Sequence, residues 1–484
     1  MRTASALLAL LCLAGVIFLC AAHGVIGSAR DTVVYTETLL AGERAEAEGL
    51  RMTLLAGLES NQRWDIALSL DRDGVRSVAE YHFSRLGEPE KAVGVRESVQ
   101  MYVVPLNFSM SGGLGETFDG LDETYDGLGF GWSPEILALF NDVAARTKPG
   151  ESHTETVRVS DYCETLPVLL SIDIAGARTL RFIDSETDLQ QGMGADNGAV
   201  VRYLADVFAL PVQYDLCLRV TVERGADGRI NNVDCMTEGG DPECGTVSVQ
   251  GDGCCYFTFA HPDDPARSGI YRLRYTLSEA LSTATLTARP ERIAALDGTS
   301  RPAWLRLSGD GRFLLLWTLE GGAPTLRTYD AQSGAALYSL PLSNGETGFW
   351  GLYPCGADAY AVALDDVRTL LVVEIASDGS ARIADVYDLD ALNGLGDGEF
   401  SPFDAYSHLG MAWDGARLAL LCAVDGVFYY SSTSCHAAVF RDGALRYAAR
   451  LDSSLDNGLD DSIACRIRSV QDAFDVRWES NSGK

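Results

Sequence analysis

The chain has 484 residues, 47% hydrophobic and 22% charged, with 68 Asp and Glu against 38 Lys and Arg and a formal net charge of −30. That apolar content excludes low-hydrophobicity disorder, and 49 scattered glycines without sustained heptads exclude coiled-coil and collagen-like chains. The acidic balance excludes a nucleic-acid-binding surface, which needs clustered Arg and Lys against phosphate.

The first element is an uncharged leader. After Arg2 no Asp, Glu, Lys or Arg occurs until Arg30, and Ala4 to Ala22 is a nearly unbroken apolar run. Such a run directs export: Arg2 and the α-amino group stay on the cytoplasmic side and the remainder goes outside. Its length lies between the roughly 7 to 15 residues of a cleavable h-region and the roughly 18 that span a bilayer. Residues 1–29 are therefore read as a signal peptide or a signal-anchor helix, with Cys20-Ala21-Ala22 and Gly27-Ser28-Ala29 as cleavage points. Lipidation at Cys20 fits poorly, because Leu19 stands where lipoprotein processing favours a small residue.

Beyond the leader the turn chemistry says β. Twelve Asp-Gly and four Asn-Gly dipeptides supply the positive φ angles of two-residue hairpins. Residues 30–150 read as a β-rich region, with strands near 49–56, 64–70 and 75–83 and Asp73-Gly74 between the last two. An acidic loop follows, Thr117-Phe118-Asp119-Gly120-Leu121-Asp122-Glu123-Thr124-Tyr125-Asp126-Gly127-Leu128, in which Thr-aromatic-Asp-Gly-Leu occurs twice. Ca²⁺ takes such Gly-bent, oxygen-rich loops, so Asp119, Asp122, Glu123 and Asp126 are the metal candidates. The EF-hand order is absent, and a solvated loop is the plainer reading. Nearby Phe118, Tyr125, Phe130 and Trp132 fit either a sugar- or peptide-binding surface or core packing. One helix is expected at Pro134 to Arg146: Ser133 caps it, Pro134 suits its first turn, and Ile136, Leu137, Leu139, Phe140 and Val143 form a stripe.

Residues 151–300 read as a hairpin region with a cysteine cluster. Leu216 to Glu223 and Tyr271 to Ser278 alternate apolar and polar positions, as half-buried strands do. Shorter strands are expected at Thr246 to Val249 and Cys255 to Phe259, around Asp252-Gly253. Ten cysteines remain after the leader, an even number that permits disulfides in an exported chain. Cys217, Cys235, Cys244, Cys254 and Cys255 are the disulfide candidates, one or two local bridges being expected, and their spacing matches no common zinc site. Ala260-His261-Pro262-Asp263-Asp264 is similar to a motif of LmbE-like zinc deacetylases, where the His and one Asp bind metal and the other Asp acts as base. Pro265 replaces the expected Glu, and the helices of such a domain are missing, so a Pro and Asp turn is the favoured reading.

Residues 301–484 carry a loose repeat. Ala303 to Leu316 gives a strand, a Ser308-Gly309-Asp310-Gly311 turn and a more buried strand; Arg327 to Leu340 gives a second hairpin about Asp330 to Gly334. Residues 303–342 resemble the repeats of WD-repeat-like and TolB-like β-propellers, in which a Ser-Pro-Asp-Gly turn joins inner strands and an Asp-x-x-x-Gly turn joins outer ones. Gly309 departs from the usual Pro. Later copies pass through 359–364, 370–375 and Asp378-Gly379, then through Trp413-Asp414-Gly415, 418–424 and Asp442-Gly443. The resemblance implies β-propeller-like antiparallel sheets, the alternative being a β-sandwich plus meander. Propellers use roughly four to eight blades, so residues 30–300 must supply the others. A second base-free stretch holds Asp388, Asp390, Asp397, Glu399 and Asp404.

No Gly-x-Ser-x-Gly, His-Glu-x-x-His, Gly-x-x-x-x-Gly-Lys or helix-opening Gly-x-Gly-x-x-Gly occurs, so no catalytic or cofactor-binding residue is named. The chain is expected to be a mainly β, bacterial, extracytoplasmic binding or sensing module, membrane-tethered through its N-terminal segment or secreted, with a protein or glycan ligand. The alternatives are a glycan-directed hydrolase with a carboxylate site and a structural subunit of an envelope assembly.

Overall fold

A computed structural model describes residues 32–58, 62–83, 98–103, 108–111, 115, 117–118, 134–166, 168–173, 179–182, 199–201, 208, 210–212, 216–239, 246–251, 253–261, 264–277, 283–286, 290–297, 300–343, 345, 347–365, 368–395, 409–426, 430–454, 467–469 and 475–479. The leader and the metal candidates Asp119, Asp122, Glu123 and Asp126 lie outside them, as do Cys244, Asp397, Glu399 and Asp404. Among the described residues no helix is long and apolar enough to cross a membrane.

The chain opens with β1 (Tyr35–Gly42), β2 (Leu50–Leu58), β3 (Gln62–Asp71) and β4 (Gly74–Phe83). Short strands follow: β5 (Ser98–Val103), β6 (Phe108–Ser111), β7 (Ser152–Arg158), β8 (Thr165–Leu166), β9 (Val168–Asp173), β10 (Thr179–Phe182), β11 (Ala199–Val201) and β12 (Leu210–Pro211). Helix α1 (Pro134–Arg146) interrupts them. Next come β13 (Cys217–Arg224), β14 (Ile230–Glu238), β15 (Ser248–Gly251), β16 (Cys254–Phe259), β17 (Gly269–Leu277), β18 (Thr283–Leu286) and β19 (Glu291–Ala295). Two regular meanders are β20 (Ser300–Leu307), β21 (Phe313–Glu320), β22 (Ala323–Asp330), β23 (Ala336–Pro341), and β24 (Phe349–Gly356), β25 (Ala359–Leu364), β26 (Thr369–Ile375), β27 (Ala381–Asp388). The last strands are β28 (Leu409–Trp413), β29 (Arg417–Gly426), β30 (Tyr430–Arg441), β31 (Ala444–Ser453), β32 (Ile467–Ser469) and β33 (Asp475–Trp478).

The described strands form eight small sheets rather than two large ones. Their orders are β20-β21-β22-β23, β24-β25-β26-β27, β1-β31-β30-β29-β28, β32-β2-β3-β4 with β33 also on β2, β6-β14-β13-β7, and β10-β18-β17-β16-β15 with β19 on β17, besides the smaller β11-β9-β5 and β12-β8. Every pairing given by register is antiparallel except β10 with β18. Contacts divide the chain into two units, one of residues 1–94, 348–375 and 382–484, the other of 95–347 and 376–381.

Two kinds of strand are present, and their side chains say why. In β13 Leu218, Val220 and Val222 are buried while Arg219 and Glu223 face water. Helix α1 covers that face with Ile136, Leu137, Leu139, Phe140 and Val143, so this sheet has one packed and one solvated side. By contrast β16 (Cys-Cys-Tyr-Phe-Thr-Phe) and β25 (Ala-Tyr-Ala-Val-Ala-Leu) are buried at every position, as are the first six residues of β21. A strand without a polar face must have a layer on each side.

The first unit shows both layers around one sheet. Ala419, Leu421, Ala437 and Val439 of β29 and β30 pack with Met52, Leu54, Ile66 and Leu68 of the β2-β3-β4 sheet. Their sequence neighbours Leu418, Leu420, Ala438 and Phe440 point the other way, onto Ala359, Ala361, Ala363 and Val372 of β25 and β26. Small alanines on both sides let the backbones of adjacent sheets approach. The first strands also run side by side: β24 lies next to β28, and β28 next to β33. In the second unit β15 lies next to β20 in the same way, and Tyr256, Ile270, Leu305, Leu314 and Leu316 fill the layer between their sheets.

Both chain ends enter the same unit. β1 adds to the edge of β31, and β33 pairs with β2, setting Met52 opposite Val476 and Leu50 opposite Trp478. The end is fastened by side chains. Arg51 donates through Nη2 to Glu479 Oε1 at 2.8 Å and through Nη1 to Asp71 Oδ1 at 3.0 Å. The Trp478 indole donates to Ala412 O at 3.2 Å, and the Arg417 guanidinium carbon lies 3.8 Å from the centroid of its ring.

Candidate functional site

The sequence candidates come to different ends. Phe118, first aromatic of the acidic loop, is fully buried 6.0 Å from Phe140 in the helix-covered core, and its N–H donates to Asn141 Oδ1 at 2.8 Å. It lies in that core and offers no face to a ligand. Cys217, Cys235 and Cys254 are free thiols, and Cys255 is a thiol that donates to Val249 O at 3.5 Å. The local disulfide expected in residues 217–255 is not formed among these four. Cys235 belongs to the core under α1 and Cys254 to the layer between β16 and β21. Burial pushes the Cys235 thiol up to about 12, so it stays protonated.

Of the zinc-like motif, Pro262 and Asp263 lie outside the described residues, and His261 and Asp264 bond locally, just before a turn at 265–267. His261 is buried, its Nδ1 accepts from Asp264 N at 2.9 Å, and Asp264 Oδ1 accepts from Ala266 N at 2.9 Å. No group of three or more His, Cys, Asp or Glu able to hold a metal occurs among the described residues. A further juxtaposition that the sequence gives no sign of is Cys422 opposite His436 on β29 and β30. Both are buried inside the layer between sheets and face packing partners, not a cleft.

What the structure does bring together are the turns that carried the propeller resemblance. In Ser308 to Arg312, Ser308 Oγ donates to Asp310 Oδ1 at 2.8 Å, Arg312 N donates to the same oxygen at 3.1 Å, and the Arg312 guanidinium pairs with Asp310. Asp330 Oδ1 accepts from Ser333 N and Oγ, both at 2.7 Å. Asp378 Oδ1 accepts from Ser380 N at 2.9 Å and Oγ at 2.7 Å. These are Asx turns, each closing on its own backbone.

The three turns interlock. Ala331 N donates to Arg312 O at 2.9 Å, Arg312 Nη2 to Ser377 O at 3.2 Å, and Thr328 Oγ1 to Gly379 O at 2.6 Å. Close approach is possible because of glycine at two points. Gly334 has φ +72°, and a Cβ there would lie 2.0 Å from Ile293 O; Gly379 has φ +84° with Leu337 Cδ1 at 2.7 Å from the equivalent position. Gly443, at φ +70° in the other unit, lies in ordinary contact with Val386 O, 3.6 Å from the position of a Cβ. In each case the turn between third and fourth strands rests on the preceding meander or its neighbouring strand.

Arg312, through its hydrogen bond, holds the Asp310 carboxyl down to about 2. Ser333 lowers that of Asp330, and Ser380 that of Asp378. All three are ionised at neutral pH and engaged in their turns, so they contribute negative charge rather than proton transfer.

Beside them runs β23, the edge of its sheet. Ala336, Leu337, Tyr338, Ser339 and Pro341 are exposed, Leu337 and Tyr338 each at 42%. Leu342 N donates to Pro324 O at 2.9 Å, and Leu340 and Tyr338 stand opposite Leu326 and Thr328. The register shifts at Leu337, the extra residue between the Thr328–Tyr338 and Tyr329–Ala336 pairs, so alternation from Leu340 turns the N–H of Ser339 outward, and Pro341, the next such position, has none. Two other edges carry charge, Arg76, Glu80 and His82 on β4 and Arg382, Asp385 and Asp388 on β27. β23 carries none, and neither do the edges β6, β15, β24 and β28.

No family model matches the chain, and no curated protein matches it. Among solved structures it is similar to Hsv2 of Kluyveromyces lactis, at 13% identity and TM-score 0.28, covering 60% of this chain and 83% of that one. A putative 6-phosphogluconolactonase from Bacteroides uniformis gives 11% identity and TM-score 0.28, covering 65% and 87%. A protein from Lactobacillus plantarum gives 13% and 0.26, covering 59% and 78%. Similarity at this level adds nothing to what the sheets themselves show.

Proposed function

We propose that the chain is a β-propeller-like extracytoplasmic binding module, exported by its leader and either tethered by it or released. The propeller form is supported by four-stranded meanders whose second strands, β21 and β25, are buried on both faces, by first strands lying side by side, and by a C-terminal strand that completes the N-terminal sheet. The binding role rests on one observation: a charge-free edge strand, exposed at five of its six residues, lies beside ionised, turn-locked carboxylates. That arrangement offers recognition and no nucleophile paired with a base.

Full-length protein, isolated from membranes and medium of a bacterial host, tests both parts. A mature N-terminus at His23 or Arg30 by mass spectrometry supports a cleaved leader, an intact leader in the membrane fraction supports the anchor, and a cytoplasmic full chain overturns export. Release of reducing ends from cell-wall or storage glycans, lost on mutating a carboxylate pair, overturns the non-enzymatic reading.

A further inference from the structure

We propose that β4 pairs with β4 of a second copy of the chain, antiparallel and centred on Val78, so that two molecules join through the edges of their N-terminal sheets. β4 is an edge of its sheet and, at ten residues, the longest edge strand among the described residues. Of the devices that ordinarily blunt an edge, a bulge, a proline or charge, it has only the last. Its register with β3 runs unbroken from Asp71 opposite Gly74 to Gln62 opposite Phe83, and its sequence, Gly-Val-Arg-Ser-Val-Ala-Glu-Tyr-His-Phe, holds no proline.

The hairpin fixes which groups face outward. Only Arg72 and Asp73 lie between Asp71 and Gly74, so that pair exchanges both main-chain hydrogen bonds, and alternation gives Arg76, Val78, Glu80 and His82 to β3. The N–H and C=O groups of Val75, Ser77 and Ala79 therefore point away from β3, and no described residue accepts from those three N–H groups. A second β4 centred on Val78 sets Ser77 opposite Ala79, and Ala79 opposite Ser77, as hydrogen-bonded pairs. Val78 then meets its own copy and Arg76 meets Glu80 twice, all as non-hydrogen-bonded pairs, whose side chains stand closest.

Side chains select this register and this partner. Val78 is the most exposed large apolar side chain among the described residues, at 72%. Arg76 and Glu80 flank it two residues away on the same face, exposed at 68% and 77%. Within one copy Arg76 pairs with Asp71 at 3.3 Å and Glu80 lies 3.8 Å from His82, both still open to water. On the other face small Ser77 and Ala79 meet each other, and Val75 meets Tyr81, both packed on the core. Centring the pair on Arg76 or on Glu80 would set like charges face to face. Centring it on Ser77 or Ala79 would leave neither charge opposite its complement. The order Arg-Ser-Val-Ala-Glu is thus complementary to itself read backwards, which is what a two-fold contact between identical chains requires.

Sedimentation velocity of the full-length protein in mild detergent tests this, at about 0.15 M salt, where screening limits the repulsion between chains of −30. The unaltered protein is expected to form dimers that dissociate on dilution. Arg76→Glu and Glu80→Arg are each expected to weaken self-association at least about tenfold, and an equimolar mixture of the two to restore it, because each then faces its complement. Restoration also shows that both variants are folded, and association through the leader would ignore these charges. Val78→Cys is expected to form an intermolecular disulfide under mild oxidant, since a self-opposed non-hydrogen-bonded pair brings two Cα atoms to about 4.5 Å; Arg76→Cys is expected not to. A protein that stays monomeric at every concentration, association that the charge reversals leave unchanged or that mixing fails to restore, or bridging through Arg76→Cys as fast as through Val78→Cys would each overturn the proposal.

Discussion

Arg312 does two jobs with one guanidinium: it pairs with Asp310 in its own turn and donates to Ser377 O in the next. The depressed Asp310 pKa is the measurable trace. Because the folded value lies below the ordinary carboxylate value of about 3.9, its contribution is present above that pH and is lost as pH falls through about 2. Carboxyl-resolved NMR should show Asp310 titrating near 2, and Arg312→Gln should move the midpoint up toward the ordinary range. Backbone conformation gives a second test at this scale. Gly311 and Gly334 both have φ +72°, but a Cβ on Gly311 meets nothing within 4 Å while one on Gly334 meets Ile293 O. Gly311→Ala should therefore cost about 1 kcal/mol, and Gly334→Ala at least about 2 kcal/mol more, by urea midpoint. The Asp-Gly pairs were legible in the sequence because turn chemistry is local; the interlock through Arg312 was not, since its acceptor is a main-chain oxygen with no residue signature.

Single elements were legible where one periodicity sufficed. Helix α1 runs from Pro134 to Arg146, the span its stripe and first-turn proline imply, and β13 buries the face its alternation marks. The gap between copies of the repeat has a local cause: twenty residues separate β27 from β28, where seven separate β23 from β24. Strands such as β25 were harder, because an apolar run says only that both faces are covered and not by what. Phe118 shows the limit for single side chains. Its Thr-Phe-Asp-Gly context fits a binding surface and core packing alike, and α1 and β13 close over it. Phe118→Ala should cost about 3–5 kcal/mol in urea unfolding, as a filled core position does. Tyr338→Ala, on the open edge, should stay within about 0.5 kcal/mol; an equal cost for the two would remove the distinction between anchor and binding surface.

Closure of the first unit is the feature that sequence reasoning missed altogether. β33 is four residues long, Asp-Val-Arg-Trp, too short for a pattern, and its partner β2 lies at the other end of the chain. Only the fold brings Val476 into the core with Met52, and Trp478 under Arg417. The Glu479 N–H donates to Gly49 O at 2.8 Å. Counting in from that pair, Met52 and Val476 form a non-hydrogen-bonded pair, the type whose side chains stand closest across an antiparallel ladder. Cysteines at both positions, Met52→Cys with Val476→Cys, should therefore oxidise to a bridge that mass spectrometry maps directly. The bridge ties the two ends of a loop spanning most of the chain. It should raise the urea midpoint by the equivalent of about 2–4 kcal/mol, and dithiothreitol should reverse the gain. Each single variant should lose stability, because each removes buried apolar volume from the layer between β2 and β29. A folded double variant that stays reduced under oxidant would mean that β33 does not complete this sheet, and the two ends of the chain would then have to find separate places.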